Sequence, residues 1–134
     1  MNSLTTKEKI ISYIFQIIAA TILGLAAYGK FSGQEIGSMV FERIKMGENG
    51  KYLIGVIESL AASLLLTPNI PHYGAILGFG TMIGALIAHL TVLGIVVDND
   101  GGRTVMMLIT VIISCSIVMY IRRKNLPLIG GTIE

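Results

Sequence analysis

Four runs of apolar residues, separated by shorter polar stretches, dominate the chain. The first, residues 10–28, is broken only by Gln16 and small hydroxyl side chains. The second, residues 52–66, contains Glu58 and stops at Pro68 and Pro71. The third, residues 73–97, is the longest and carries His89; Asp98-Asn99-Asp100-Gly101-Gly102 ends it with turn-forming residues. The fourth, residues 104–121, stops at Arg122-Arg123-Lys124. A helix rises about 1.5 Å per residue, so about 20 apolar residues cross a hydrocarbon layer about 30 Å thick. The pattern therefore predicts an all-α membrane protein. Its spans fall at approximately 10–29, 51–67, 72–97 and 103–122, the second reaching full length only if Lys51 snorkels. Short connections favour an antiparallel four-helix transmembrane bundle, a single domain over residues 1–134.

The connection between the first two spans is longer. Ser32-Gly33-Gln34-Glu35 has the form of a capping box and Gly47 that of a helix stop, which predicts a short helix over about 33–46. Ile36, Met39, Val40 and Ile44 share one face of it; Glu35, Ser38, Glu42 and Lys45 lie opposite. Such a segment fits either an amphipathic helix in the membrane interface or a solvated helix packed on the bundle.

Composition agrees with burial in lipid. Charged residues make up 13% of the 134, about half the usual share, and 53% are hydrophobic. The net charge of +2, with basic residues at the ends of the apolar runs, argues against a nucleic-acid partner. One cysteine, Cys115, excludes an intrachain disulfide or a Cys-x-x-Cys redox pair. The first run exceeds a signal-peptide core and reads as a retained span. Lys7, Lys9 and Arg122-Arg123-Lys124 share the side of the termini, which the positive-inside rule places in the cytoplasm; Lys30, Arg43, Lys45, Lys51 and Arg103 share the other.

Small residues recur at helical spacing: Gly74 and Gly78, then Gly80, Gly84 and Ala88 in the third span, and Gly55, Ser59 and Ser63 in the second. These stripes suit close helix packing within the chain, or a homo-oligomer seam.

Ionisable residues inside a span cost several kcal/mol unless paired or wet, so Glu58 and His89 are the leading site candidates. From the helical rise, Glu58 lies roughly 10 Å past Lys51 and His89 roughly 12 Å before Val97. Both distances run from the same membrane face, so the two residues are level. Lys30, Arg103, Tyr28 and Thr91 belong to the same half. Lys30, Glu58, His89, Arg103 and Tyr28 thus form one candidate polar cluster. It is either a structural clasp between Glu58 and His89 or a seat for a quinone, a lipid headgroup or a small anion. Gln16 suits an interhelical hydrogen bond, Ser114-Cys115-Ser116 packing and back-bonding, and Asp98-x-Asp100 a turn without the remaining ligands of a calcium loop. The sequence has no zinc spacing, phosphate-binding glycine loop or Ser-His-Asp arrangement. It indicates no metal and no catalytic residue.

Gly29-Lys30-Phe31-Ser32-Gly33, Gly55-Val56-Ile57-Glu58 with Leu64-Leu65-Leu66-Thr67-Pro68, and Gly74-Ala75 with Met82-Ile83-Gly84-Ala85 and His89-Leu90 together resemble motifs of DoxX-like membrane proteins. The likeness extends over roughly residues 10–121. The resemblance implies a four-helix bundle in a prokaryotic cytoplasmic membrane, and it carries over to Lys30, Glu58 and His89. It implies an accessory or ligand-binding component of a membrane redox system, a possible subunit of a quinone-linked oxidoreductase rather than an enzyme by itself. A quinone is the cofactor this would bring, and the lipid bilayer and a redox subunit the partners. The alternative is a non-enzymatic chaperone or assembly factor that binds other membrane proteins.

Overall fold

A computed structural model describes residues 4–97 and 99–125. Asp98 of the expected Asp98-x-Asp100 turn, and the end of the expected single domain, lie outside the described residues. The described chain is helical with no strand: α1 (Thr6–Phe31), α2 (Glu35–Arg43), α3 (Gly47–Leu66), α4 (Pro71–Ala88), extended by a π-helical turn (His89–Leu93), and α5 (Arg103–Ile121). Three stretches are long and apolar enough to cross a membrane: Thr6–Phe31, Pro71–Leu93 and Arg103–Ile121. The helix α3 is comparable in length to α5 but carries Glu48, Lys51 and Glu58, which dilute its hydropathy.

Helix ends follow local chemistry. At α1, Thr5 Oγ1 accepts from the Glu8 amide at 3.1 Å while Glu8 Oε1 accepts from the Thr5 amide at 3.0 Å, a reciprocal cap. The expected box at Ser32 does not form. Ser32 instead closes α1, and α2 begins after Gln34 without a side-chain cap. Nor does Gly47 stop α2. Lys45 adopts the left-handed conformation (φ 64°), and Met46 N–H reaches back to Phe41 C=O at 2.9 Å. The run expected to continue to Val97 ends earlier, because Gly94 takes φ 82° and its N–H bonds His89 C=O at 2.7 Å, five residues back.

The helix α1 packs against α3 and α5, and α4 packs against the same two. Their common core includes Leu23, Ala61, Leu65, Ala75, Val111 and Cys115. Outward faces are apolar too: Ile14, Leu25, Leu53, Val56, Ile87 and Met106 are exposed, while Ser12, Gln16, Lys51, Glu58, His89 and Arg122 are buried. A protein surrounded by water sorts its side chains the other way. This inside-out arrangement suits a chain whose spans face acyl chains.

The seam of α3 is Lys51, Gly55, Glu58, Ala61 and Leu65 rather than the expected Gly55, Ser59 and Ser63. Ser63 is exposed and bonds back to Ser59 C=O at 2.9 Å. The reason is geometric: a mixture of steps of three and four holds one helical face, whereas uniform steps of four drift off it.

A candidate ligand cavity

Lys30 and Glu58 are brought together by two adjacent helix ends. Gly55 leaves room for the Phe31 ring, whose atoms would lie 3.0–3.1 Å from a β-carbon there. Phe31 in turn stacks on Tyr52 at 6.0 Å. With Phe31 docked, the preceding residue faces Glu58, one helical turn past Gly55. Lys30 Nζ stands 3.0 Å from Glu58 Oε1 and donates to Oε2 at 3.3 Å. The carboxylate side chain is 2% exposed, so the ammonium supplies the counter-charge that lipid and core cannot. The ammonium is nearer Oε1 but is aligned for a hydrogen bond on Oε2, so it spans both oxygens of the carboxylate.

His89 does not meet Glu58 in a hydrogen bond. Its Nδ1 lies 2.9 Å from Gly94 C=O, a group that only accepts, so Nδ1 carries the proton. In the neutral ring Nε2 is then the acceptor. The π-helical turn makes this possible by drawing Gly94 back onto His89; such turns are frequent where helices carry functional groups. The clasp expected between Glu58 and His89 is therefore replaced by two separate anchors, Lys30 for the carboxylate and the Gly94 carbonyl for the imidazole.

Lys30, Glu58, His89 and Arg103 all line one cavity of about 850 Å³. Tyr28, placed with them from its depth, does not: it is 67% exposed on the outer face of α1. Depth along a helix says nothing about the direction around it. Arg103 is exposed at the first turn of α5, beside Asp100. The Asp100 carboxylate accepts from the amides of Gly102 (2.8 Å), Val97 (3.1 Å) and Thr104 (3.2 Å). These bonds, that from Gly102 foremost, hold its pKa down at about 2.

The sequence did not single out α2 as a cavity wall. Ile36, Val40, Phe41 and Ile44 face the cavity, while Met39, expected on the same face, is turned outward. Phe41 is buried, with its ring 5.8 Å from Lys30 Nζ. Two polar ties fasten α2. Lys51, expected to snorkel, is instead 1% exposed; its Nζ donates to Ser38 Oγ at 2.9 Å and pairs with Glu48 at 2.9 Å. Arg43 donates to Val92 C=O at 3.2 Å.

The small-residue stripes of α4 have two different roles. A β-carbon at Gly74 would lie 2.5 Å from Leu65 N and 2.7 Å from Ala61 O, so α3 and α4 approach backbone to backbone there. At Gly80 and Gly84 nothing lies within 4 Å, and both line the cavity. The absence of side chains there creates space instead of contact.

Apolar walls with a few fixed polar groups are what small-molecule sites share, and the volume falls in their usual range of about 300–1,000 Å³. No group of three or more His, Cys, Asp or Glu able to hold a metal occurs among the described residues. Comparison with protein-family models, curated proteins and solved structures gives no match.

Proposed function

We propose that this chain is a DoxX-like, multi-pass protein of a prokaryotic cytoplasmic membrane, with its termini in the cytoplasm and α2 in the interface. In this reading α1, α3, α4 and α5 form an antiparallel four-helix transmembrane bundle. Its cavity holds a quinone or a lipid, as an accessory component of a membrane redox system. The observation that carries this reading is the cavity itself. It is walled by Gly80, Gly84 and the apolar face of α2, and its few polar groups include the Glu58 carboxylate, held by Lys30, and the anchored His89. An amphipathic ligand with an apolar ring or chain and one hydroxyl head, such as the reduced form of a quinone carries, would suit the apolar walls and donate to these acceptors.

The test is thermal unfolding of the purified protein with added quinones or lipids, beside native mass spectrometry for co-purifying ligand. Saturable protection of the wild type is expected. Gly84→Leu should abolish it by filling the cavity, since a β-carbon at this position has open space around it. Glu58→Gln and His89→Ala should weaken it. Protection by none of these compounds would remove the ligand reading and leave that of an assembly factor acting through its helix faces.

A further inference from the structure

A second polar group lies where the end of α5 meets the beginnings of α1 and α4, and none of its members lines the cavity. Arg122, 8% exposed, donates from Nε to Ser12 Oγ at 2.9 Å. Ser12 Oγ in turn donates to Gln16 Oε1, and Gln16 Nε2 donates to Leu65 C=O at 2.8 Å. The Tyr13 ring stands 5.9 Å from the guanidinium carbon. These contacts hold the guanidinium in place without neutralising it. Among the described residues the ion pairs are Lys30–Glu58 and Lys51–Glu48, and no carboxylate reaches Arg122.

His72, the second residue of α4, is within electrostatic reach of Arg122 and 4% exposed. Its Nδ1 is enclosed and has no hydrogen-bond partner. A buried ring nitrogen without a partner costs about 1–3 kcal/mol. The Arg122 guanidinium near it meets no anion among the described residues. Both deficits disappear if one oxyanion accepts from Arg122 Nη and from His72 Nδ1–H. The first turn of α4 adds its positive dipole end to the same place.

We propose that Arg122 and His72 form a seat for a phosphate group, supplied in the bilayer by the headgroup of an anionic phospholipid. Position favours this chemistry. Arg122 directly follows an apolar stretch, Arg103–Ile121, long enough to cross the membrane, so it stands at headgroup depth. Arg123 and Lys124 continue the positive charge into the interface. The flat guanidinium fork matches phosphate oxygens in a way an ammonium does not.

The experiment is native mass spectrometry of the detergent-purified protein with phosphatidylglycerol or with diacylglycerol, which lacks the phosphate, beside thermal unfolding in inorganic phosphate. The wild type is expected to retain phosphatidylglycerol and release diacylglycerol. Losing one charge-assisted bond should lower retention about tenfold in Arg122→Gln, and several-fold in His72→Phe. Lys124→Gln should change it little. His72→Phe keeps a buried ring and decides the matter alone if the arginine variant does not fold. Equal protection by inorganic phosphate, lost in Arg122→Gln, would support the same seat with a soluble source. Retention of diacylglycerol equal to that of phosphatidylglycerol, or unchanged lipid retention in both variants, would overturn the proposal. None of these outcomes depends on the Lys30–Glu58 cavity.

Discussion

The two ends of this helical assembly solve the problem of buried charge in opposite ways. At the Lys30 end a carboxylate and an ammonium neutralise each other inside the protein, 3.0 Å apart. At the Arg122 end a guanidinium is held by neutral oxygens in a relay through Ser12 and Gln16 to a backbone carbonyl. The first arrangement is electrically complete and needs only a neutral occupant for its cavity. The second is geometrically fixed but carries its charge uncancelled. The same helices therefore present a neutral site at one end and a cationic one at the other, and the difference lies in where Glu58 stands.

The largest expected effect comes from breaking the balanced pair. Lys30→Met keeps the length of the side chain but leaves Glu58, 2% exposed, without its cation. Removing one partner of a buried pair costs about 3–5 kcal/mol. The double variant Lys30→Met/Glu58→Gln removes both charges and should recover at least about 1 kcal/mol of that loss, because no charge is then left stranded. Denaturant unfolding in detergent micelles measures the difference. Equal stability of the single and double variants would mean that the pair is not held away from water, and the contrast between the ends would fail.

A smaller effect separates the two stretches of α4. Gly74→Ala forces a β-carbon against Leu65 N and Ala61 O, both backbone atoms that cannot swing aside. Overpacking of this kind costs about 1–3 kcal/mol. Gly84→Ala meets nothing within 4 Å and exchanges glycine for the best helix former, which favours the variant by up to about 1 kcal/mol. Opposite signs in thermal unfolding would place close packing on one side of Gly78 and open space on the other. A loss at Gly84 matching that at Gly74 would mean that the cavity is not there.

These contrasts mark what could be read from the chain alone. Helix positions were legible because the lengths of apolar runs report directly on a layer of fixed thickness. Lys30, Glu58 and His89, grouped by their places along the helices, all line one cavity. Partners were not. Each residue turns a helix by about 100°, so a level pair can still face different neighbours, and only packing sets the rotation. Glu58 found Lys30 because Phe31 docks on Gly55, a contact between segments 24 residues apart that no local pattern records. Tyr28 went outward by the same logic. His72 and Arg122 escaped notice because they sit at the ends of apolar runs, where polar residues are ordinarily solvated. The outward apolar faces blur the signal further, since in lipid the sequence pattern no longer separates inside from outside.

The smallest expected effect concerns the turn that closes the cavity end. Asp100 is held ionised by the amides of Gly102, Val97 and Thr104, and its pKa is lowered to about 2 from an ordinary value near 3.8. A carboxyl group whose pKa is lower in the folded state contributes stability at pH values above its unfolded pKa. That contribution is full above about pH 4 and is lost as pH falls through about 2. The effect is local, because the group is at the surface and acts only on the turn from Val97 to the start of α5. Amide hydrogen exchange at Gly102 and Thr104 should therefore quicken, relative to intrinsic rates, as pH falls from about 4 to about 2. Asp100→Asn should show raised exchange at these sites already at pH 4 and no further acid-induced rise. A wild-type profile parallel to that of Asp100→Asn across this window would show that the carboxylate does not hold the turn, and the cavity end would then owe its order to the Lys30–Glu58 pair and α2.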